Sequence, residues 1–195
     1  MIDGQSLAQW RRAERNRLIA DRMAVDRIQL AAWGELIDAH LLQAFPDLHE
    51  GIVGFCWPWR NEYDARYILQ QVRARGGRTA LPVVLAPRTP LAFRLWSPGD
   101  PLAEGVYGIA HPTSGEVVIP HTLIVPMNGF DREGYRLGYG GGFFDRTLAA
   151  LSPRPRTIGV AHELAAMATL YPQPHDIPMD WVVTEAGARR TCVVV

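Results

Sequence analysis

The chain predicts an α/β layered fold with a largely parallel sheet, and three observations carry that expectation. Short apolar runs alternate with amphipathic segments along most of its length, the order that builds parallel sheets flanked by helices. One apolar run, Leu123–Pro126, passes through a glycine-rich loop directly into an amphipathic segment. The total of 195 residues suits one domain with a substantial core. We therefore expect a single domain over 1–195.

The elements follow in order. Residues 6–44 read as two helices, the first capped by Asp3 or Ser6 and the second closed by Pro46. Ile52–Cys56 is a short strand, and Asp64–Arg75 is a helix ended by Gly76 and Gly77. Thr79–Leu85 and Leu91–Trp96 are strands on either side of a Pro87–Pro90 turn. Leu123–Pro126 is a central strand, and Phe143–Leu151 a helix with Phe143, Phe144, Leu148 and Leu151 on its apolar side. Thr157–Ala161 is a buried strand and Trp181–Thr184 a last one; Cys192–Val195 is too short to classify. Two long loops, Ser97–His121 and His162–Met179, both carry His and acidic residues. Loops of that length in a compact domain generally serve function.

Composition excludes several classes. Twenty basic residues balance twenty acidic ones, which argues against nucleic acid or a membrane surface as partner. All twenty basic residues are Arg. Arg11, Arg12, Arg15, Arg17, Arg22 and Arg27 crowd the first helical region. Such a run is commonly a solvated face, yet the planar guanidinium fork also suits phosphate. Cys56 and Cys192 lie far apart with no zinc-type spacing, so they read as reduced thiols. The amino terminus lacks a signal-peptide pattern, and no apolar run approaches the ~18 residues of a membrane span. These features predict a soluble, cytoplasmic protein.

Chemistry concentrates between Leu123 and Leu148. Five glycines lie from Gly134 to Gly142, and the helix that follows opens on Phe143-Phe144-Asp145-Arg146. A strand, glycine loop and helix start present unpaired amides to an anion, and the helix dipole favours negative charge there. Arg136 can clamp phosphate oxygens, and Asp145 can hold Mg²⁺ against them. The loop has no GK[ST] ending and no G-x-G-x-x-G spacing, so it is neither common phosphate fingerprint. The bland alternative is a chain-reversing turn in which Asp145 pairs with Arg146 or caps the helix.

The run RLGYGGGFFDR, preceded by VPMNGFD, resembles the signature of the 5-formyltetrahydrofolate cyclo-ligase (5,10-methenyltetrahydrofolate synthetase) family. Flanking blocks appear in the family's order and extend the resemblance over most of the chain: Trp57 to Asp64, Leu81–Val83 and a late HDIPMD run. The resemblance implies a three-layer α/β/α Rossmann-like sandwich. It also implies an ATP- and Mg²⁺-dependent enzyme whose substrate is a reduced folate.

Carried over residue by residue, the resemblance places ATP on Gly138, Tyr139, Gly140, Gly141, Gly142 and Phe143, with Arg11, Arg136 and Asp145. Arg136 and Asp145 would carry the catalytic work. Mg²⁺ would lie between Asp145 and Asp176, the latter beside His175 and ahead of Asp180. The pterin would meet Trp57, Glu62, Tyr107 and His111; an aromatic stacks on such a ring while a carboxylate takes its donor edge. Asp64 reads as a helix cap, and Arg17 as an exposed helix charge. The chain departs from the family pattern at four places. Leu7 stands where a Lys is usual, His111 where Glu or Gln is common, Gly141 where Lys is frequent, and Ala165 or a neighbour replaces a Gln. The expected reaction is cyclisation of 5-formyltetrahydrofolate to 5,10-methenyltetrahydrofolate with release of ADP and phosphate. The departures also suit two rivals: a divergent relative acting on another pterin or amide, and a non-catalytic nucleotide- or folate-binding protein.

Overall fold

A computed structural model describes residues 4–105 and 108–191. It opens on two helices, α1 (Gly4–Ala24) and α2 (Arg27–Ala44). Asp26 caps α2 by accepting from the amide of Gln29 at 2.9 Å, and Phe45 with Pro46 ends it. Ser6 lies inside α1 rather than capping it, and Asp3 falls outside the described residues.

Strand β1 (Ile52–Phe55), helix α3 (Arg66–Ala74) and strand β2 (Arg78–Val84) form the first crossover, with β1 and β2 parallel. Helix α3 starts two residues later than its sequence suggests. Asp64 accepts from the amide of Arg66 at 3.0 Å and grips its guanidinium, a local turn that competes with helix. Strand β3 (Leu91–Leu95) then runs antiparallel to β2, because the short proline-bounded connection cannot make a parallel crossover. The expected long loop after it is more structured than its composition suggests. It holds a hairpin of β4 (Leu102–Glu104) and β5 (Ala110–Pro112), then β6 (Val117–Val118) on the sheet edge.

Strand β7 (Thr122–Pro126) returns to the centre beside β1. A small hairpin of β8 (Gly129–Phe130) and β9 (Arg136–Leu137) leads into the glycine loop and helix α4 (Phe143–Ala150). Strands β10 (Arg156–Val160) and β11 (Trp181–Thr184) extend the parallel sheet, and β12 (Gly187–Arg190) turns back antiparallel at the edge. The strand order is β12-β11-β10-β7-β1-β2-β3-β6.

Each strand sends alternate side chains to opposite faces, and two cores result. Val53, Phe55, Ile124 and Ile158 pack under Ile37 and Leu41 of α2 and Ile68 and Leu69 of α3. Ile52, Leu123 and Val125 pack on the other face with Leu18 of α1 and Leu148 of α4. The molecule is thus a three-layer α/β/α sandwich. The connection from β10 to β11 contains only a short 3-10 turn, Glu163–Ala165; its irregular backbone completes the second helical layer. Among the described residues no helix is long and apolar enough to cross a membrane.

This topology creates a switch point. From β1 the chain moves outward to β2 on one side; from β7, the neighbour of β1 on the other, it moves outward to β10. Connections leave in opposite directions and open a crevice at the carboxyl ends of β1 and β7, the usual ligand position in open α/β sheets.

Candidate active site

A cavity of about 1080 Å³ occupies that crevice. Cys56 and Trp57 at the end of β1, Pro126 at the end of β7, and Pro82 and Val84 on β2 form its floor. The glycine loop and the start of α4 make one wall, α1 another, and residues 174–177 with the β4–β5 hairpin close the top.

The glycine wall is built for close approach. Gly140 has φ of +89° and Gly142 of +61°, conformations costly for any residue with a Cβ. Gly142 is the N-cap of α4 and offers no capping side chain, so the first-turn amides of the helix face the cavity without that partner. Asp145, in this first turn, accepts from the Ile177 amide at 3.0 Å and from Arg136 at 2.8 Å. Its partner is therefore Arg136, not Arg146, whose guanidinium turns back to the carbonyl of Gly141. Arg136 also donates to the Ile177 carbonyl at 2.6 Å. Burial pushes its pKa below the ordinary value, against the pull of Asp145.

Arg11 lines the cavity but is tied to the β10–β11 connection. It forks onto Asp176 at 2.7 Å and donates to the carbonyls of Leu170 and Tyr171. Burial would raise the Asp176 pKa, yet the Arg11 fork and the Gln173 amide outweigh it and hold the carboxyl below its usual range. Asp145 and Asp176 share the same wall, linked through Ile177, and each is neutralised by an arginine. Among the described residues no three His, Cys, Asp or Glu converge as a metal site. Two carboxylates completed by phosphate oxygens and water are nevertheless the hard-oxygen set Mg²⁺ takes in nucleotide sites. The residues fit the ion only together with a polyphosphate.

On the opposite side lies Glu62. Its side chain is only 4% exposed. It accepts from the Tyr139 hydroxyl at 2.8 Å and the Trp59 amide at 3.0 Å, with Arg22 at 4.0 Å. Burial raises its pKa above the ordinary carboxylate value, and the Tyr139 bond and the Arg22 charge only partly oppose the rise. Trp57 is fixed edge-on against Trp96 at 5.6 Å. His111, on β5, lines the same cavity, its ring packed over Gly105. Tyr107 lies outside the described residues.

The remaining sequence candidates are placed elsewhere. Arg17 pairs with Glu14 and Asp21 on the solvent face of α1, and Asp64 holds Arg66 at the surface. Asp180 binds the Thr157 amide and Arg154; His175, by contrast, lines the cavity beside Asp176 with its side chain 77% exposed. Three residues were not singled out by the sequence reading, which named Arg15 and Arg22 only as members of the arginine run. Arg15 reaches the glycine loop, donating to the Gly138 carbonyl at 2.5 Å. Arg22 is buried and donates to the Tyr139 hydroxyl at 3.2 Å. Asp131 accepts from the amides of Glu133, Tyr135 and Leu170, tying the β8–β9 turn to the residue that Arg11 grips. For the arginines a signal existed: Leu7, Arg11, Arg15, Leu18 and Arg22 follow one another at steps of three and four, one face of a helix.

The model of the 5-formyltetrahydrofolate cyclo-ligase family matches residues 7–185. The chain belongs to that family. A 5-formyltetrahydrofolate cyclo-ligase of Escherichia coli strain K12 is 34% identical over 132 residues, 64% of this chain and 72% of that protein. One from Mycolicibacterium smegmatis is 30% identical over 139 residues, 65% of this chain and 70% of that one. Among solved structures, the NMR structure of Aquifex aeolicus 5,10-methenyltetrahydrofolate synthetase superposes with a TM-score of 0.78 at 27% identity, covering 92% of both chains. Within the cyclo-ligase family this chain is an enzyme of the ligase class.

Proposed function

We propose that the chain converts 5-formyltetrahydrofolate to 5,10-methenyltetrahydrofolate at the expense of ATP, with ADP and phosphate as the other products. The supporting observation is the pairing of two unlike walls in one cavity. A glycine loop with helix-start amides faces an apolar, carboxylate-bearing pocket, and the Tyr139 hydroxyl joins the two through Glu62.

The chemistry requires such a pairing. A formamide oxygen is a poor leaving group. Transfer of the terminal phosphoryl group of ATP to the formyl oxygen forms an O–P bond, breaks the bond to ADP and leaves an imidate phosphate at N5. N10 then attacks the formyl carbon, the C–O bond breaks, phosphate departs with the electron pair, and N10 loses its proton. The protein has to align the formyl oxygen with the terminal phosphorus and spread the charge that moves between them.

The residues divide by wall. Amides of Gly138 to Gly142 and Phe143, with Arg136, hold phosphate oxygens. Glu62 takes the donor edge of the pterin, Trp57 offers an apolar face, and His111 closes the pocket from the hairpin. Asp145 and Asp176 would hold Mg²⁺, which when bound neutralises phosphate charge. For that, both carboxylates exchange their arginine partners for the ion, while Arg136 and Arg11 turn to phosphate.

The test is turnover: the appearance of methenyl absorbance when protein, ATP, Mg²⁺ and 5-formyltetrahydrofolate are combined. We expect product in step with ADP. Binding of both ligands without product would favour a non-catalytic binder. Binding of ATP but not 5-formyltetrahydrofolate would favour a relative with another pterin or amide substrate.

A further inference from the structure

The glycine loop has no cation of its own. The chain contains no lysine, and positions 138–142 are glycines and one tyrosine. A polyphosphate held by amides alone keeps most of its charge unpaired, so a guanidinium must complete the site. Five arginines line the cavity: Arg11, Arg12, Arg15, Arg136 and Arg146. In this structure four are engaged elsewhere or exposed, and Arg11 and Arg136 reach phosphate only by giving up Asp176 and Asp145. Arg11 is spent on Asp176 and two carbonyls, and Arg136 on Asp145 and the Ile177 carbonyl. Arg146 folds back to the Gly141 carbonyl and stacks by Phe143 at 5.6 Å. Arg12 lies exposed.

Arg15 is different. From α1 it crosses to the loop and anchors its Nε on the Gly138 carbonyl at 2.5 Å. Its Cζ and both terminal nitrogens lie 3.4–3.5 Å from where a Cβ on Gly140 would stand. Among the described residues, neither terminal nitrogen has a hydrogen-bond partner. The fork is thus spread over the middle of the loop, pivoted at one end and open at the other. Burial, followed by the charges of Arg11 and Arg12, pushes its pKa below the ordinary value, a repulsion that an anion would relieve.

We propose that Arg15 clamps the nucleotide phosphates against the glycine loop, its Nε held by the Gly138 carbonyl while Nη1 and Nη2 donate to phosphate oxygens. This rests on the nucleotide reading above. It encloses the polyphosphate between α1 and the loop.

Calorimetric titration of the full chain with ATP, inorganic tripolyphosphate, adenosine and 5-formyltetrahydrofolate tests the clamp, using wild type, Arg15→Gln and Arg15→Lys. ATP and tripolyphosphate should bind Arg15→Gln about 10- to 100-fold more weakly, with Arg15→Lys intermediate and the other two ligands unaffected. Labelling of wild type with an arginine-selective dicarbonyl adds a readout that needs no variant: ATP should protect Arg15, and adenosine should not. Equal phosphate affinity in Arg15→Gln, with Arg15 labelled equally in the presence of ATP, would overturn the clamp and leave the nucleotide site standing. Parallel loss of every ligand in the variant would make Arg15 a structural support instead. Wild type that takes neither ATP nor tripolyphosphate would overturn both readings.

Discussion

Glu62 shows what one buried carboxylate is asked to do. A group this enclosed remains charged only where donors compensate for lost water. Tyr139, the Trp59 amide and Arg22 supply that compensation, yet burial still raises its pKa. Two consequences follow. Glu62→Gln keeps the shape and an acceptor for Tyr139 but removes the charge proposed to hold the pterin. Titration with 5-formyltetrahydrofolate should show a loss of about 1.5–3 kcal/mol, with ATP affinity nearly intact; a loss confined to ATP would put Glu62 in the wrong subsite. Because the carboxylate is protonated at a higher pH than an exposed one, folate affinity in wild type should weaken early on acidification, and Glu62→Gln should lack that dependence. The family resemblance made Glu62 visible through the block from Trp57 to Asp64. It could not show Tyr139 and Arg22 beside it, because those contacts join positions 77 and about 40 residues away along the chain.

At the scale of elements, the site is held by ties between segments distant in sequence. Asp145 in the first turn of α4 binds Arg136 and the Ile177 amide, joining helix, hairpin and crossover. Asp145→Ala leaves the Arg136 guanidinium, 6% exposed, without its partner. Chemical denaturation should register a loss of about 2–4 kcal/mol, as for other broken buried pairs; an unchanged midpoint would mean the pair contributes nothing to the fold. Asp38 on α2 gives a second, pH-dependent tie through the Tyr63 hydroxyl. Burial raises its pKa from 3.8 to about 6, despite that bond. The folded state therefore keeps this proton where the unfolded chain has lost it, so stability falls as pH rises through that window. A shift of this size is worth about 3 kcal/mol when fully buried, and solvent access reduces it to ~1–2 kcal/mol. Compared with wild type, Asp38→Asn should be neutral near pH 4 and more stable by that amount near pH 7, read from urea curves at both; a difference independent of pH would contradict the raised pKa. The long helical stretch of α1 and α2 and the continuous apolar run of β7 were plain in the sequence. The two- and three-residue strands β4 to β6, β8 and β9 were not, since so short a pair owes its existence to the sheet and loops around it rather than to propensity.

The whole molecule places two unlike walls at one switch point. Strands β1 and β7 open the crevice, the glycine loop leaves β9 on one side, and the β1–α3 loop carries Glu62 on the other. The glycine run and the α/β alternation made the layered fold and the glycine wall of the cavity legible before any coordinates. The enclosure of the cavity by α1 and by residues 174–177 entered only through Arg11 and Asp176, which the family resemblance carried over; irregular backbone between β10 and β11 follows tertiary packing and leaves no periodic trace. The claim that unites these features is that the phosphoryl group passes from the glycine wall to a formyl oxygen held on the Glu62 side. The decisive measurement uses 5-formyltetrahydrofolate carrying heavy oxygen in its formyl group. After turnover with unlabelled ATP in ordinary water, mass spectrometry of the released phosphate should find one heavy oxygen per molecule formed. Methenyl product accompanied by phosphate without the label would contradict direct transfer between the two walls.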